Sequence, residues 1–208
     1  LRAIAGFARR HDLILISDEI HHDLILPGHR HVPMPLAAPE VMDRLVMLTA
    51  TTKTFNIAGA HIGNAIVPDP HLRVRLAGRM AALGISPGSF GMAMARAAYS
   101  PEGAAWVEAL ALYLDGNRRL FDAGVNAIPG LRSMPLEATY LAWVDFRGTG
   151  MDRAEFTARV EKGARIAANH GTTFGAGGEG WMRFNIATPR ARVRRAVERL
   201  QAAFADLQ

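Results

Sequence analysis

The chain has 208 residues, half of them hydrophobic, and it contains no cysteine. A chain of this length and composition can bury a sizeable core, which excludes an intrinsically disordered protein. The lack of cysteine excludes disulfides and thiolate metal sites, and it fits the cytoplasmic location that we expect. No apolar run reaches the roughly 18 residues of a membrane-spanning helix, so we expect no membrane partner.

Arginine carries most of the positive charge behind the net charge of +5, and five arginines stand close together between Arg190 and Arg199. Apolar residues recur at helical spacing through the same segment, which predicts an amphipathic helix with the arginines on its outer face. This pattern favours a solvated helix face over a polyanion site, because a nucleic-acid binder would concentrate its charge in a patch with aromatic residues. We therefore expect no nucleic-acid partner.

The start of the chain predicts a helix, a strand and a long loop. Residues 1–10 are typical of the end of a helix, and the apolar run 13–16 predicts a strand that leads into Ser17-Asp18-Glu19-Ile20-His21. Residues 22–40 contain four prolines and three histidines and predict an irregular loop. His21 and His22 would point to opposite faces of an extended segment, and no helical motif with a glutamate accompanies them, so we expect no metal site.

A second predicted strand, residues 45–48, leads into a segment in which three threonines precede a single lysine, Lys53. A lysine is costly to bury, because its ammonium must be desolvated or must lose its proton. Its position at the end of a strand suits a Schiff-base lysine, and an ordinary lysine in a surface loop is the alternative. Because ligands bind at the carboxyl ends of parallel strands in open α/β sheets, we expect Asp18 and Lys53 to face the same crevice.

The later elements alternate between helices and short strands. Pro68-Asp69-Pro70 stops one strand and begins a helix, Ser89 is a plausible N-cap, and Ser100-Pro101-Glu102 opens a long helix that continues beyond residue 120. The predicted strands are 62–67, 131–134, 140–145 and 164–168, and the predicted helices are 70–82, 90–99 and 152–163. The glycine-rich residues 175–180 precede a strand, which favours a flexible loop over a dinucleotide-binding turn.

A third polar stretch lies on the strand predicted at residues 181–187. Arg183 and Asn185 share one face of it, since side chains two residues apart point the same way. An arginine fork matches a carboxylate through two hydrogen bonds. Pyridoxal phosphate requires a lysine that holds it and a carboxylate that keeps its pyridine nitrogen protonated, so Lys53, Asp18 and Arg183 together indicate a pyridoxal-phosphate site for an amino-acid substrate.

Four motifs resemble the class I/II aminotransferase superfamily of fold-type I pyridoxal-phosphate enzymes, and within it the cystathionine β-lyase (C–S lyase) branch of the MalY/PatB type. They are the acid motif 17–21, the lysine motif 52–59 and the small-domain signatures 138–147 and 183–190. The resemblance implies an α/β fold. Residues 1–118 would be part of a large domain with a mostly parallel sheet, and residues 119–208 would be an α+β small domain.

The resemblance also assigns roles to the main polar residues. Lys53 would hold the cofactor covalently and move the substrate proton, and Asp18 would pair with the pyridine nitrogen. Arg183 would bind the substrate α-carboxylate, with Asn185 in support. Homodimers are implied as well.

Three further residues complete the implied cofactor site. Thr52 resembles the hydroxyl that helps to hold the phosphate. His21 stands where many relatives carry a tyrosine that bonds the phenolic oxygen of the cofactor, and a packing role is its alternative. His61 stands where many aminotransferases have a phosphate-binding arginine, so the sequence departs from the family pattern there.

The implied reaction is β-elimination from cystathionine or a related S-substituted cysteine, which yields a thiol, pyruvate and ammonia. An aminotransferase would use the same residues, so the preference for a lyase rests on the resemblance alone. A non-catalytic sensor domain of a regulator is the third hypothesis. Relatives are about twice as long, so we expect a C-terminal part of a larger enzyme that is inactive by itself.

Overall fold

The computed structural model describes residues 1–207 and divides the chain into two units, Leu1–Ala109 and Leu110–Gln208. The helices and strands of the first unit are α1 (Arg2–Arg10), β1 (Leu15–Asp18), α2 (Met34–Ala37), β2 (Leu45–Thr49), α3 (Thr51–Thr54), β3 (Asn64–Ile66), α4 (Pro70–Ala82), α5 (Ser89–Ala98) and the first part of α6 (Pro101–Asn126). The second unit adds β4 (Arg132–Ser133), β5 (Leu141–Asp145), α7 (Arg153–Ala158), β6 (Asn169–His170), β7 (Trp181–Asn185) and α8 (Arg190–Ala203).

Short 3-10 helices and one π-helix lie between or after these elements. The 3-10 helices are Pro39–Arg44, Ala58–Ala60, Arg147–Thr149, Gly171–Phe174 and Ala205–Leu207, and Arg159–Gly163 is a π-helix. The boundary between the two units falls inside α6, the helix that also contains the boundary expected near residue 118.

The first unit contains a three-stranded sheet in the order β1-β2-β3. β1 runs parallel to β2, with Asp18 opposite Leu48, and β3 runs antiparallel to β2. One face of the sheet packs against a small cluster formed by Ala5, Met34, Ala38, Val41 and Leu45. On the other face Ile16 is 64% exposed. The carboxyl ends of β1 and β2 therefore lie at one edge of the sheet, where Asp18 and α3 begin the polar segments.

Glu19 anchors the loop that follows β1. Its carboxylate is buried and accepts hydrogen bonds from the Ser17 hydroxyl (2.8 Å), the Met34 backbone N–H (2.9 Å) and His31 Nε2 (2.7 Å). Burial alone would raise the pKa of Glu19, but the hydrogen bonds from Met34, His31 and Ser17 hold it below its ordinary value. The segment 22–40 is thus not irregular throughout, since it ends in α2 and a 3-10 helix.

The second unit is built on a four-stranded antiparallel sheet in the order β4-β5-β7-β6. Its strands alternate between buried and accessible positions, as a sheet with one covered face requires. Ala142, Val144, Met182 and Phe184 point into a core that also contains Phe121 of α6 and residues of α8. The opposite face carries Trp143 and Arg183, which stand directly opposite each other on β5 and β7.

The helix predicted at residues 70–82 is confirmed, and its start is explained by its cap. The Asp69 carboxylate accepts the Leu72 backbone N–H at 2.7 Å, and Pro70 occupies the first turn. Ser89 is not an N-cap: Gly88 takes that extended position, and Ser89 is the first residue of α5.

The strand predicted at residues 164–168 is wrong. The backbone N–H groups of Ala164 and Ile166 donate to the carbonyls of Arg159 and Val160, so the chain stays bonded to the π-helix. Pairing with β7 begins only at Asn169.

We predict that Glu19→Gln lowers the free energy of unfolding at pH 7 by about 1–3 kcal/mol, because the buried donors lose a charged acceptor. A carboxyl with a lowered folded-state pKa contributes stability above its unfolded pKa and loses it as pH falls through the folded value. The difference between wild type and variant should therefore shrink below the ordinary pKa of 4.5. Urea unfolding followed by circular dichroism at pH 7 and at more acidic pH measures it.

Glu40→Gln is the matched control, since Glu40 is exposed. It should change the unfolding free energy by less than about 0.5 kcal/mol. A Glu19→Gln effect that stays the same at every pH would contradict the assigned role of the charge.

The contact of α6 with α8 gives a second prediction. A side chain at Gly124 would overlap Val197, whereas a side chain at Gly78 in α4 would meet open space. Alanine is normally the better helix former, so Gly78→Ala should be neutral or stabilising by up to about 1 kcal/mol. Gly124→Ala should instead destabilise by about 1–3 kcal/mol through overpacking. Equal effects of the two variants in urea unfolding would show that Gly124 has no packing role.

Candidate active site

Asp18 and Lys53 stand at the same edge of the first sheet. Asp18 is the last residue of β1, and Lys53 lies in the short helix α3, four residues beyond the end of β2. Because β1 and β2 are parallel neighbours, their carboxyl ends open on the same side. The arrangement brings one carboxylate and one amine to the edge where such sheets bind ligands.

Within residues 1–207 neither group forms an ion pair. Asp18 is exposed, and one of its carboxylate oxygens accepts the Ile20 backbone N–H at 3.3 Å. Lys53 is half-buried, and within residues 1–207 its amine makes no hydrogen bond or ion pair. A half-buried amine without a counter-charge is a group that a covalently bound ligand would satisfy.

Threonine hydroxyls surround Lys53 in the chain, and they differ in their partners. The Thr54 hydroxyl donates to Asp23 at 3.2 Å, which ties α3 to the loop after β1. The Thr49 hydroxyl accepts from Asn64 at 3.3 Å. Thr52 is half-buried, and its carbonyl accepts the Ile57 N–H.

Thr51 is 2% exposed, and its hydroxyl oxygen is buried without a hydrogen-bond partner. Buried polar atoms are rarely left unpaired. The Thr51 hydroxyl is therefore the group of this segment that most needs a hydrogen-bond partner from a ligand. A free amine, an unpaired hydroxyl and a carboxylate lie at one sheet edge, and these are groups that pyridoxal phosphate requires. The residues present therefore fit this group.

The loop after α3 has an unusual backbone. Asn56 and His61 both adopt left-handed conformations, with φ of 53° and 45°. Such conformations are costly for residues other than glycine and concentrate at functional sites. His61 is exposed. His21 lies half-buried in the turn after β1, where its carbonyl accepts the Leu24 N–H at 3.0 Å.

Arg183 and Asn185 lie in the second unit, on the accessible face of β7. Arg183 Nη2 donates to the Asn169 side-chain oxygen at 3.2 Å, and the guanidinium carbon lies 4.4 Å from the centroid of the Phe174 ring. Arg183 Nε is buried without a partner. The Asn185 side-chain oxygen accepts the Ala187 N–H at 2.8 Å, so Asn185 shapes the end of the strand.

The sequence did not identify four side chains as residues of these two sites. They are Glu19, Thr51, Asn169 and Phe174: three of them owe their place to a tertiary contact, and Thr51 owes it to the burial of an unpaired hydroxyl. Glu19 stood inside the acid motif, and its position next to Asp18 was the one available signal.

The described residues also limit other kinds of site. Within residues 1–207 there is no group of three histidine, aspartate or glutamate side chains that could hold a metal ion. None of the helices described is both long and apolar enough to cross a membrane.

Known proteins resemble this chain over most of its length. Residues 1–200 match the family model for aminotransferase class I and II. Cystathionine beta-lyase PatB of Bacillus subtilis is 34% identical over 93% of the chain and 50% of PatB. The chain thus spans about half the length of the curated relatives that it matches.

Solved structures confirm the predicted α/β fold. Cystalysin of Treponema denticola, whose crystal structure contains pyridoxal 5′-phosphate, superposes with a TM-score of 0.91 at 33% identity, over 100% of this chain and 53% of cystalysin. An aromatic aminotransferase of Pyrococcus horikoshii superposes with a TM-score of 0.88 at 27% identity, over 99% of this chain and 54% of the neighbour. On its sequence match and its fold, the chain belongs to the aminotransferase class I and II family of pyridoxal-phosphate enzymes.

Proposed function

We propose that the whole protein is a pyridoxal-phosphate-dependent C–S β-lyase. It acts on cystathionine or a related S-substituted cysteine and releases a thiol, pyruvate and ammonia. The observation that carries the proposal is the pairing of β1 with β2, since it delivers Asp18 and Lys53 to one sheet edge. The similarity to a cystathionine beta-lyase supports the choice of substrate class.

Lys53, Asp18 and the hydroxyls of the α3 segment hold the cofactor in this proposal. When bound, pyridoxal phosphate supplies an electron sink for the bonds at the substrate α-carbon. Lys53 would hold the cofactor covalently and would be the base that takes the proton from the substrate α-carbon. Asp18 would pair with the pyridine nitrogen and keep it protonated. Thr51 and Thr52 offer hydroxyls to the phosphate, and His21 and His61 are further contacts.

Arg183 binds the α-carboxylate of the amino-acid substrate. Its fork can donate two parallel hydrogen bonds, which fixes the orientation of the carboxylate as well as its position. A fixed carboxylate restricts rotation about the α-carbon of the substrate. Asn185 supports this role by ending the strand on which Arg183 stands.

The same proposal includes a cytoplasmic homodimer. The segment from α4 to α5 exposes large apolar side chains: Leu83 is 62% exposed, Ile85 54% and Phe90 82%. Several exposed large apolar side chains in one short segment are typical of a protein–protein interface.

An aminotransferase is the second candidate, because the structural similarity to an aromatic aminotransferase covers nearly the whole chain. The two activities separate in one assay of the whole protein. A lyase releases pyruvate and ammonia from cystathionine without an added keto acid, whereas turnover by an aminotransferase requires one. Keto-acid-dependent turnover without pyruvate release would establish the second candidate.

The assignment of Lys53 is tested by reduction with borohydride, which fixes the cofactor on the lysine that holds it. We expect the label on the peptide with Lys53 and loss of nearly all turnover in Lys53→Ala. Lys162 is the only other lysine, so Lys162→Ala is the matched control and should leave labelling and turnover unchanged. Label on the Lys162 peptide would refute the assignment.

Arg183→Ala should reduce kcat/KM for amino-acid substrates by more than tenfold, since loss of one partner of a desolvated charge pair costs about 2–5 kcal/mol. Lysine should restore little of this activity, because it lacks the planar fork. Arg132 is an exposed arginine on the same sheet, and Arg132→Ala serves as the control. Steady-state kinetics of the three variants measure these effects. If Arg183→Ala changed kcat/KM no more than Arg132→Ala, the role of Arg183 in carboxylate binding would be wrong.

A further inference from the structure

The side chain of Arg183 is held from two directions within the second unit. The Phe174 ring lies against the guanidinium, with 4.4 Å between the guanidinium carbon and the ring centroid. At one end, Nη2 donates to the Asn169 side-chain oxygen at 3.2 Å. A long arginine side chain would otherwise populate many rotamers. Because the two contacts already restrict these rotamers, less side-chain entropy is lost when a carboxylate binds.

The backbone places both contacts by separate routes. Asn169 stands directly opposite Arg183 in the pairing of β6 with β7, so the two side chains share a face. Phe174 ends the 3-10 helix Gly171–Phe174 that follows β6. Neither contact depends on the motif that identified Arg183.

The glycine-rich segment sets the position of Phe174. The backbones of Gly171 and Gly178 approach so closely that a side chain on either would overlap the other. Gly175 and Gly177 have φ of 113° and 88°, which L side chains rarely adopt. The segment predicted to be a loop before β7 brings the backbones of Gly171 and Gly178 together and leads into β7.

The chemistry of the two contacts leaves the charge of Arg183 free. An amide oxygen is neutral and occupies one N–H without cancelling the positive charge. An aromatic face attracts a cation, and it does not use up the N–H donors of the guanidinium. Trp143 meets the Phe174 ring edge-on at 5.1 Å and supports it from β5.

We propose that Asn169 and Phe174 are positioning residues that fix the plane of the Arg183 guanidinium for the substrate carboxylate. The proposal rests on the function proposed for Arg183 and adds the residues that determine its geometry. It requires a neutral side chain at position 169, because a carboxylate there would form an ion pair with Arg183 and compete with the substrate carboxylate. It also requires an aromatic ring at position 174, because an aliphatic side chain has no π-face that would attract the guanidinium.

The test is steady-state kinetics of the whole protein with its cofactor bound. Asn169→Asp keeps the shape of the side chain and adds a charge, so KM should rise by at least about tenfold while kcat stays within about twofold. Phe174→Leu should also raise KM, and Phe174→Tyr should restore it because the ring is retained. Thr173→Ala is the control, since among residues 1–207 that exposed hydroxyl bonds only the His170 carbonyl, at 2.7 Å.

A second readout separates positioning from folding. In the 15N NMR spectrum, the Arg183 Nε–Hε resonance, assigned by its loss in Arg183→Ala, should shift in Asn169→Asp and Phe174→Leu and not in Thr173→Ala. If Arg183→Ala raises KM and Asn169→Asp does not, the positioning role is overturned while the proposed function stands. If Arg183→Ala leaves KM unchanged, both are overturned. A loss of thermal stability in Asn169→Asp and Phe174→Leu with unchanged KM would likewise overturn the positioning role.

Discussion

The parallel pairing of β1 with β2, from Leu15 opposite Leu45 to Asp18 opposite Leu48, is the constraint on which the candidate site depends. Neither Asp18 nor Lys53 is exceptional alone, since one is an exposed acid and the other a half-buried amine. The shared direction of the two strands makes their ends neighbours although 35 residues separate them in the chain. A register shifted by one residue would turn Asp18 to the opposite face of the sheet.

Antiparallel pairing performs the corresponding task in the second unit. It sets Arg183 between Trp143 and Asn169, which stand opposite it on the two adjacent strands. The covered face of the same strands is filled by Met182 and Phe184, so β7 is anchored by packing on one side and presents its arginine on the other. Stability and recognition are thus divided between the two faces of one strand.

The sequence was most informative where a single local pattern decides the structure. Asp69-Pro70 predicted the start of α4, and the apolar runs before Asp18 and Lys53 predicted β1 and β2, because caps and strand patterns involve few residues. Prediction failed at residues 164–168, where apolar residues suggested a strand but the preceding π-helix kept their backbone bonds. It also missed the unpaired hydroxyl of Thr51 and the contacts of Asn169 and Phe174 with Arg183, because burial and cross-strand partners are set by the tertiary structure.

The Glu19 carboxylate has a consequence for how the first unit opens. Its three donors come from the end of β1, from the following loop and from the start of α2, so one acidic group joins segments that are 17 residues apart in sequence between Ser17 and Met34. Withdrawing any one segment leaves the buried charge short of a donor, which makes partial opening costly. We therefore expect these segments to exchange their amide hydrogens as one cooperative unit, so that the hydrogen bonds of Glu19 protect the backbone around Asp18.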